Sequence, residues 1–150
     1  MEEIIMRLIR LSFVVFILAL VSISSLFAQE SKPKKSLTFG EVADNLDLAK
    51  KTSMYVKEYW LRVKGEKVNW SGEVVNVKGG RNKVEVYVAN KDRRTYKNYN
   101  IILIGYDKET ASKFEIGQKI TFSGYLHNYK TRKGNPVVIS LNEADFKQVD

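Results

Sequence analysis

The chain has 150 residues, with 25 lysines and arginines against 17 aspartates and glutamates, a formal net charge of +8. There is no cysteine and a single histidine. This composition excludes disulfides, a lipidated cysteine, thiolate metal sites and Cys–His catalytic pairs. Packing alone must stabilise the fold, and the excess of cations directs attention to anionic partners.

Residues 1–28 read as a secretory signal peptide. In MRLIRLSFVVFILALVSISSLFAQE, Met6 to Glu30, two arginines precede an apolar run from Leu11, and small residues follow up to Ala28, the expected cleavage point. Leu26 fills the −3 position. Glu2 and Glu3 are foreign to such a leader, so Met6 is the more fitting start. The alternative is a retained membrane anchor, since the apolar run is near the lower limit for spanning a bilayer. Arg7 and Arg10 cancel Glu2 and Glu3, so the remaining chain keeps the full excess of cations. It is long enough for one domain with a modest core.

Residues 29–36, QESKPKKS, are polar and lysine-rich and predict a flexible tether. Residues 37–63 predict a helical segment. Thr38 and Glu41 have capping-box spacing, and Phe39, Val42, Ala43 and Leu46 share one stripe. A second stretch begins at Thr52 or Ser53, presents Val56, Tyr59 and Trp60 on one side, and ends before Gly65. The pattern fits either one bent helix or two short ones.

From Lys67 onward the period changes from helical to two, and residues 64–150 make up the predicted barrel. In KVNWSGEVVNV, Val68, Trp70 and Gly72 face one way, with Asn69, Ser71 and Glu73 opposed. The doubled Val74–Val75 predicts a bulge where a long strand bends. KGGRN, Lys78 to Asn82, is a turn. KVEVYVA points Val84, Val86 and Val88 inward and Lys83, Glu85 and Tyr87 outward. A basic connection, NKDRRTYKN, leads to a third strand over Tyr99–Tyr106. Asp107 caps a short helix with Ala111 and Phe114 inward. Strand four, KITFSGYLHNY, has Ile120, Phe122, Gly124 and Leu126 inside, and Pro136 opens strand five, PVVISLNEADF. Gly72 and Gly124 suit sharp bends in a barrel wall. Three strands, a short helix and two strands, with a long bent first strand, predict an all-β OB-fold, a five-stranded barrel, with a helical N-terminal extension.

The runs KGEKVNWSGEVVNV, GQKITFSGYL and GNPVVISLNEADF resemble the tRNA-anticodon-like OB-fold family of small, often exported bacterial proteins. In that family a helix leads through a Lys-Gly step, here Lys64-Gly65, into a V-x-W-x-G-x-V strand, here Val68, Trp70, Gly72 and Val74. The resemblance spans Leu48 to Phe146. It implies the fold and supplies no catalytic motif.

No catalytic, metal-binding or cofactor-binding set is expected. His127 reads as an exposed strand residue. Related barrels serve as calcium-dependent nucleases, but Asp92 stands alone between Lys91 and Arg93, and Glu143 and Asp145 read as a solvated strand edge. The loops carry more information. The first-to-second-strand loop holds Lys78, Arg81 and nearby Lys83. The fourth-to-fifth holds Lys130, Arg132 and Lys133, with Tyr129 at its root. In OB-folds these loops rim a groove over strands two and three. Tyr87 should face that groove, with Tyr99 or Asn100 beside it and Tyr125 joining if strand four borders it. The second-to-third connection adds Lys91, Arg93, Arg94, Tyr96 and Lys97. Cations track phosphates and flat rings stack on bases, so the expected ligand is an anionic polymer, either single-stranded nucleic acid or acidic glycan. The competing readings are a periplasmic protein–protein adaptor or envelope-stress component and, more remotely, a nuclease. The expected location is outside the cytoplasm, periplasmic or secreted, with no stable membrane insertion once the leader is cleaved.

Overall fold

Thr38 turns its hydroxyl onto the backbone N–H of Glu41, at 3.2 Å, and so starts helix α1, Phe39–Leu46. The four apolar residues of its predicted stripe are all buried. The helix ends where Asp47 turns its carboxylate back onto the N–H of Ala49, at 2.8 Å. Thr52 then caps a second helix, α2, Ser53–Val63, by accepting from Tyr55 N–H. Short polar side chains that bind nearby backbone compete with helix continuation, which is why there are two helices and not one bent one. The computed structural model describes residues 36–148. The leader over 1–28 and the tether up to residue 35 lie outside the described residues.

Five strands follow: β1 Lys67–Gly79, β2 Val84–Ala89, β3 Ile101–Gly105, β4 Lys119–Lys130 and β5 Val138–Gln148, with helix α3, Lys108–Ser112, between β3 and β4. They close into a barrel in the order β1-β2-β3-β5-β4. β3 and β5 run parallel, and the other neighbours are antiparallel. The length of β1 lets it serve two partners. Lys67 to Glu73 pair with β4, and Glu73 to Gly79 pair with β2, with a register shift between Val74 and Asn76. This is the bulge that the doubled valine predicts. Closure removes the exposed edges that a flat meander would present.

In β2, and in β4 as far as Leu126, the residues read as inward are buried. Val84, Val86 and Val88 of β2, Ile120, Phe122 and Leu126 of β4, and Ile139 and Leu141 of β5 form one core. The helical extension shares it. Phe39 meets Trp70 edge to face with centroids 5.3 Å apart, Trp60 packs on Tyr129 at 4.8 Å, and Trp70 Nε1 donates to the carbonyl of Leu37. α3 contributes Ala111, and Phe114 lies edge to face on Phe146. β3 is shorter than predicted, starting at Ile101, because Tyr99 belongs to a tight turn and Asn100 to a buried clamp. Among the described residues, no helix is long and apolar enough to cross a membrane.

Candidate ligand-binding groove

On the outer wall, strand register sets Asn76, Tyr87, Ile102 and Ser140 in one row and Lys78, Glu85 and Ile104 in the next. Tyr87 is therefore central, as its place in the alternation predicts. Its hydroxyl donates to Glu85 Oε2 at 2.9 Å, and Lys78 Nζ sits 4.7 Å from its ring centroid. Burial, and then the bond to Glu85, push its pKa up to about 12. The phenol accordingly stays neutral across the physiological range. Tyr99 meets Tyr87 edge to face at 4.9 Å, and Tyr96 meets Tyr99 in the same way at 6.2 Å. Three rings thus run in series from the β1–β2 loop toward the β4–β5 loop.

The last two rings are brought there by a two-residue turn. Tyr96 and Tyr99 exchange both backbone hydrogen bonds, at 2.7 and 3.0 Å. Lys97 and Asn98 between them take left-handed φ values of 49° and 70°. That is the backbone of the tight hairpin turns that match strand twist. Asparagine tolerates it, but lysine there costs on the order of 1 kcal/mol. Behind the turn Asn100, 0% exposed, clamps the loop. Its Oδ1 accepts from Asn90 N–H at 2.8 Å, and its Nδ2 donates to the carbonyl of Asn90 at 2.7 Å and to that of Arg93 at 3.4 Å.

Across from the tyrosine turn, Lys130 and Arg132 border a depression of about 250 Å³ completed by Thr131, Asn135, Pro136, Val138 and the two rings. Lys133 is exposed on the same loop, and Arg81 is exposed on the β1–β2 turn. The remaining predicted residues are placed differently. Lys83 pairs with Glu85 at 3.5 Å. Arg93 is held by Asp44 of α1, at 3.1 Å through Nε and 2.6 Å through Nη2. Arg94 lies beside it, lining a separate concavity that also includes Asp44, Asp47 and Asp92. Tyr125 stands between its strand partners Lys67 and Asn142, on the β1–β4–β5 side of the wall and not on β2 and β3. The ring of Tyr129 is half-buried against Trp60, because the register shift between Leu126 and Asn128 reverses the parity of β4 and turns it inward.

Tyr99 and Tyr96 matter more to this groove than the sequence reading allowed. The available signal was the Tyr-Lys-Asn-Tyr spacing, in which asparagine marks a left-handed turn position. Among the described residues, no group of three or more histidine, aspartate or glutamate side chains is placed to hold a metal ion.

The Asp44–Arg93 pair ties α1 to the loop. Hydrogen bonds from Arg93 and then Lys50 hold the Asp44 carboxyl at about 2, against an ordinary value of 3.8. A depressed folded-state pKa contributes stability above the ordinary value, and that contribution disappears as pH falls toward 2. Both partners are partly solvated, so Asp44→Asn is expected to cost less than about 1 kcal/mol at pH 7. In urea denaturation the difference from wild type should vanish near pH 2.

No family model matches the chain, and no curated relative matches it. Several solved structures are similar over part of their length. A replication protein A heterotrimer bound to ssDNA is 16% identical over 57% of this chain and 58% of that one, with a TM-score of 0.39. OBody AM3L15, bound to hen egg-white lysozyme, is 11% identical over 79% and 97%, with a TM-score of 0.46. The asparaginyl-tRNA synthetase from Pyrococcus horikoshii is 11% identical over 77% of this chain, with a TM-score of 0.43. This chain spans 58% of the replication protein A chain and 24% of the synthetase. The fold assignment rests on strand order and register: the chain is a closed five-stranded OB-fold barrel with a helical N-terminal extension.

Proposed function

We propose that this protein is an exported, non-enzymatic binding protein of the tRNA-anticodon-like OB-fold type, holding an anionic polymer across the outer wall of β2 and β3. One observation carries the reading. The rings of Tyr87, Tyr99 and Tyr96 stand in series, with Lys78 at one end and Lys130 and Arg132 at the other. Rings without cations would suit a core edge, and cations without rings would suit solvation. Their succession along one face suits a chain that alternates charge with flat groups, either single-stranded nucleic acid or an acidic glycan. The leader read over residues 1–28 supports export, and the fold by itself selects no ligand.

Salt titration tests the proposal. If about five cations contact a single-stranded polymer, affinity falls with a log–log slope of about −3.5. The double variant Arg132→Ala, Lys133→Ala should weaken binding of every sequence alike and flatten that slope by about 1.4. Affinity unchanged in the double variant, or no affinity for oligonucleotides and heparin alike, would remove the groove as a polymer site. Release of acid-soluble nucleotide with added calcium would overturn the non-enzymatic reading. A protein-adaptor reading draws on Met54 and Leu61, exposed on α2, and requires partner binding that persists at high salt.

A further inference from the structure

The concavities of this surface differ in charge. The one beside α1 sets Asp44, Asp47 and Asp92 among Lys50, Arg93 and Arg94, the one on the β1–β4 face sets Asp145 among Lys67 and Lys147, and the third sets Glu73 and Asp92 among Lys91 and Lys119. Carboxylates in these walls oppose an incoming anion. The depression between the tyrosine turn and the β4–β5 loop has no aspartate or glutamate in its lining. Its sides are Tyr96, Tyr99, Pro136 and Val138, and its cations are Lys130 and Arg132.

We infer that this depression receives one base of a single-stranded nucleic acid, stacked on Tyr96, with the adjoining phosphates on Lys130 and Arg132. The inference rests on the anionic-polymer reading and names the polymer. Three features favour a base over a sugar ring. Two of its sides are the aromatic rings of Tyr96 and Tyr99, which suit a planar ring on its faces. Neutral hydrogen-bonding side chains are few: the amide of Asn135, the tyrosine hydroxyls, and Thr131, whose own hydroxyl is buried. A pyranose carries hydroxyls around its whole rim and would leave most of them unpaired there. The volume, about 250 Å³, is below the range typical of sites for larger ligands and suits a single ring system.

The turn that presents Tyr96 is built for position. Its left-handed Lys97 is a strained position in the turn that sets two rings edge to face, and strain of this kind concentrates at binding sites. Lys97 Nζ lies 5.6 Å from the Tyr96 centroid, adding a cation beside the stacking ring. Tyr96 is 38% exposed, so the ring is open to a ligand, and changing it disturbs little of the core.

The test compares three fluorescein-labelled probes on the full chain: oligothymidine, an oligomer of equal length made of abasic sites, and heparin. Oligothymidine should bind roughly tenfold more tightly than the abasic oligomer, the contribution of a stacked base. Tyr96→Ala should remove that advantage, so that the variant binds oligothymidine and the abasic oligomer equally, while Tyr96→Trp should keep it. Thermal unfolding of each variant, unchanged from wild type, confirms that the fold is intact. Equal affinity for oligothymidine and the abasic oligomer overturns the base site, as does a Tyr96→Ala variant that keeps the advantage, and in either case the anionic-polymer reading stands. If none of the three probes binds, both fall.

Discussion

Replacing Asn100 with leucine is expected to cost the fold about 3 kcal/mol and to release the loop that carries Tyr96. The side chain is fully buried and makes three hydrogen bonds to loop backbone. Leucine is close in size but leaves the N–H and carbonyl of Asn90 without their partner. Each stranded backbone group carries a penalty of about 1–3 kcal/mol. The main-chain bonds of residue 100, from its N–H to Val88 and from Ile139 N–H to its carbonyl, survive the change, so β3 should keep its place. The expected signature is therefore local as well as global. Urea denaturation should show the lost stability, and amide exchange should accelerate over residues 90–100 more than over β2 or β5. Polymer affinity should fall although residue 100 touches no ligand. Unchanged exchange in the loop would show that something other than Asn100 holds it.

The second large effect is expected at Gly72. A Cβ there would stand 2.5 Å from Val88 Cγ1 and 2.8 Å from the carbonyl oxygen of Ala89. The crowding follows from how the barrel closes. Glu73 pairs with Lys119 on one side and Ala89 on the other, so β1 passes from β4 to β2 at this point and brings β2 backbone close to the adjacent residue. A side chain can rotate away from a clash, but the paired backbone of β2 moves only by distorting the ladder. Gly72→Ala should destabilise by roughly 2–3 kcal/mol. Gly79→Ala is the control. It lies on the same strand with nothing within 4 Å, and it should stay within about 0.5 kcal/mol of wild type. Equal stability of the two variants would mean that the wall at Gly72 is looser than these distances show. Gly105 meets the same kind of barrier, 2.7 Å from Phe146 and 2.9 Å from the Ala144 carbonyl. The third strand's apolar run concealed it from the sequence reading.

These sites separate what was readable along the chain from what was not. Tyr87 could be placed on the outer face because one uninterrupted alternation covers β2. The same counting fails for Tyr129, since a single extra residue at His127 reverses every side chain after it. Arg93 looks like a free loop cation until α1, forty-nine residues away, brings Asp44 to its guanidinium. Tyr96 and Tyr99 look like residues of an irregular connection until Asn100 folds that connection back on itself.

The sequence by itself determined the strand order, the inward-facing residues of β2 and of β1 and β4 before their bulges, the caps of the helices and the bend in β1. All of these follow from periodicity and turn chemistry within a few neighbouring residues. Tertiary structure decided which cations are already paired, which tyrosines share a face and which glycines have no room for a methyl group. Those outcomes depend on register shifts and on partners far apart in the chain, and no local window of residues contains them.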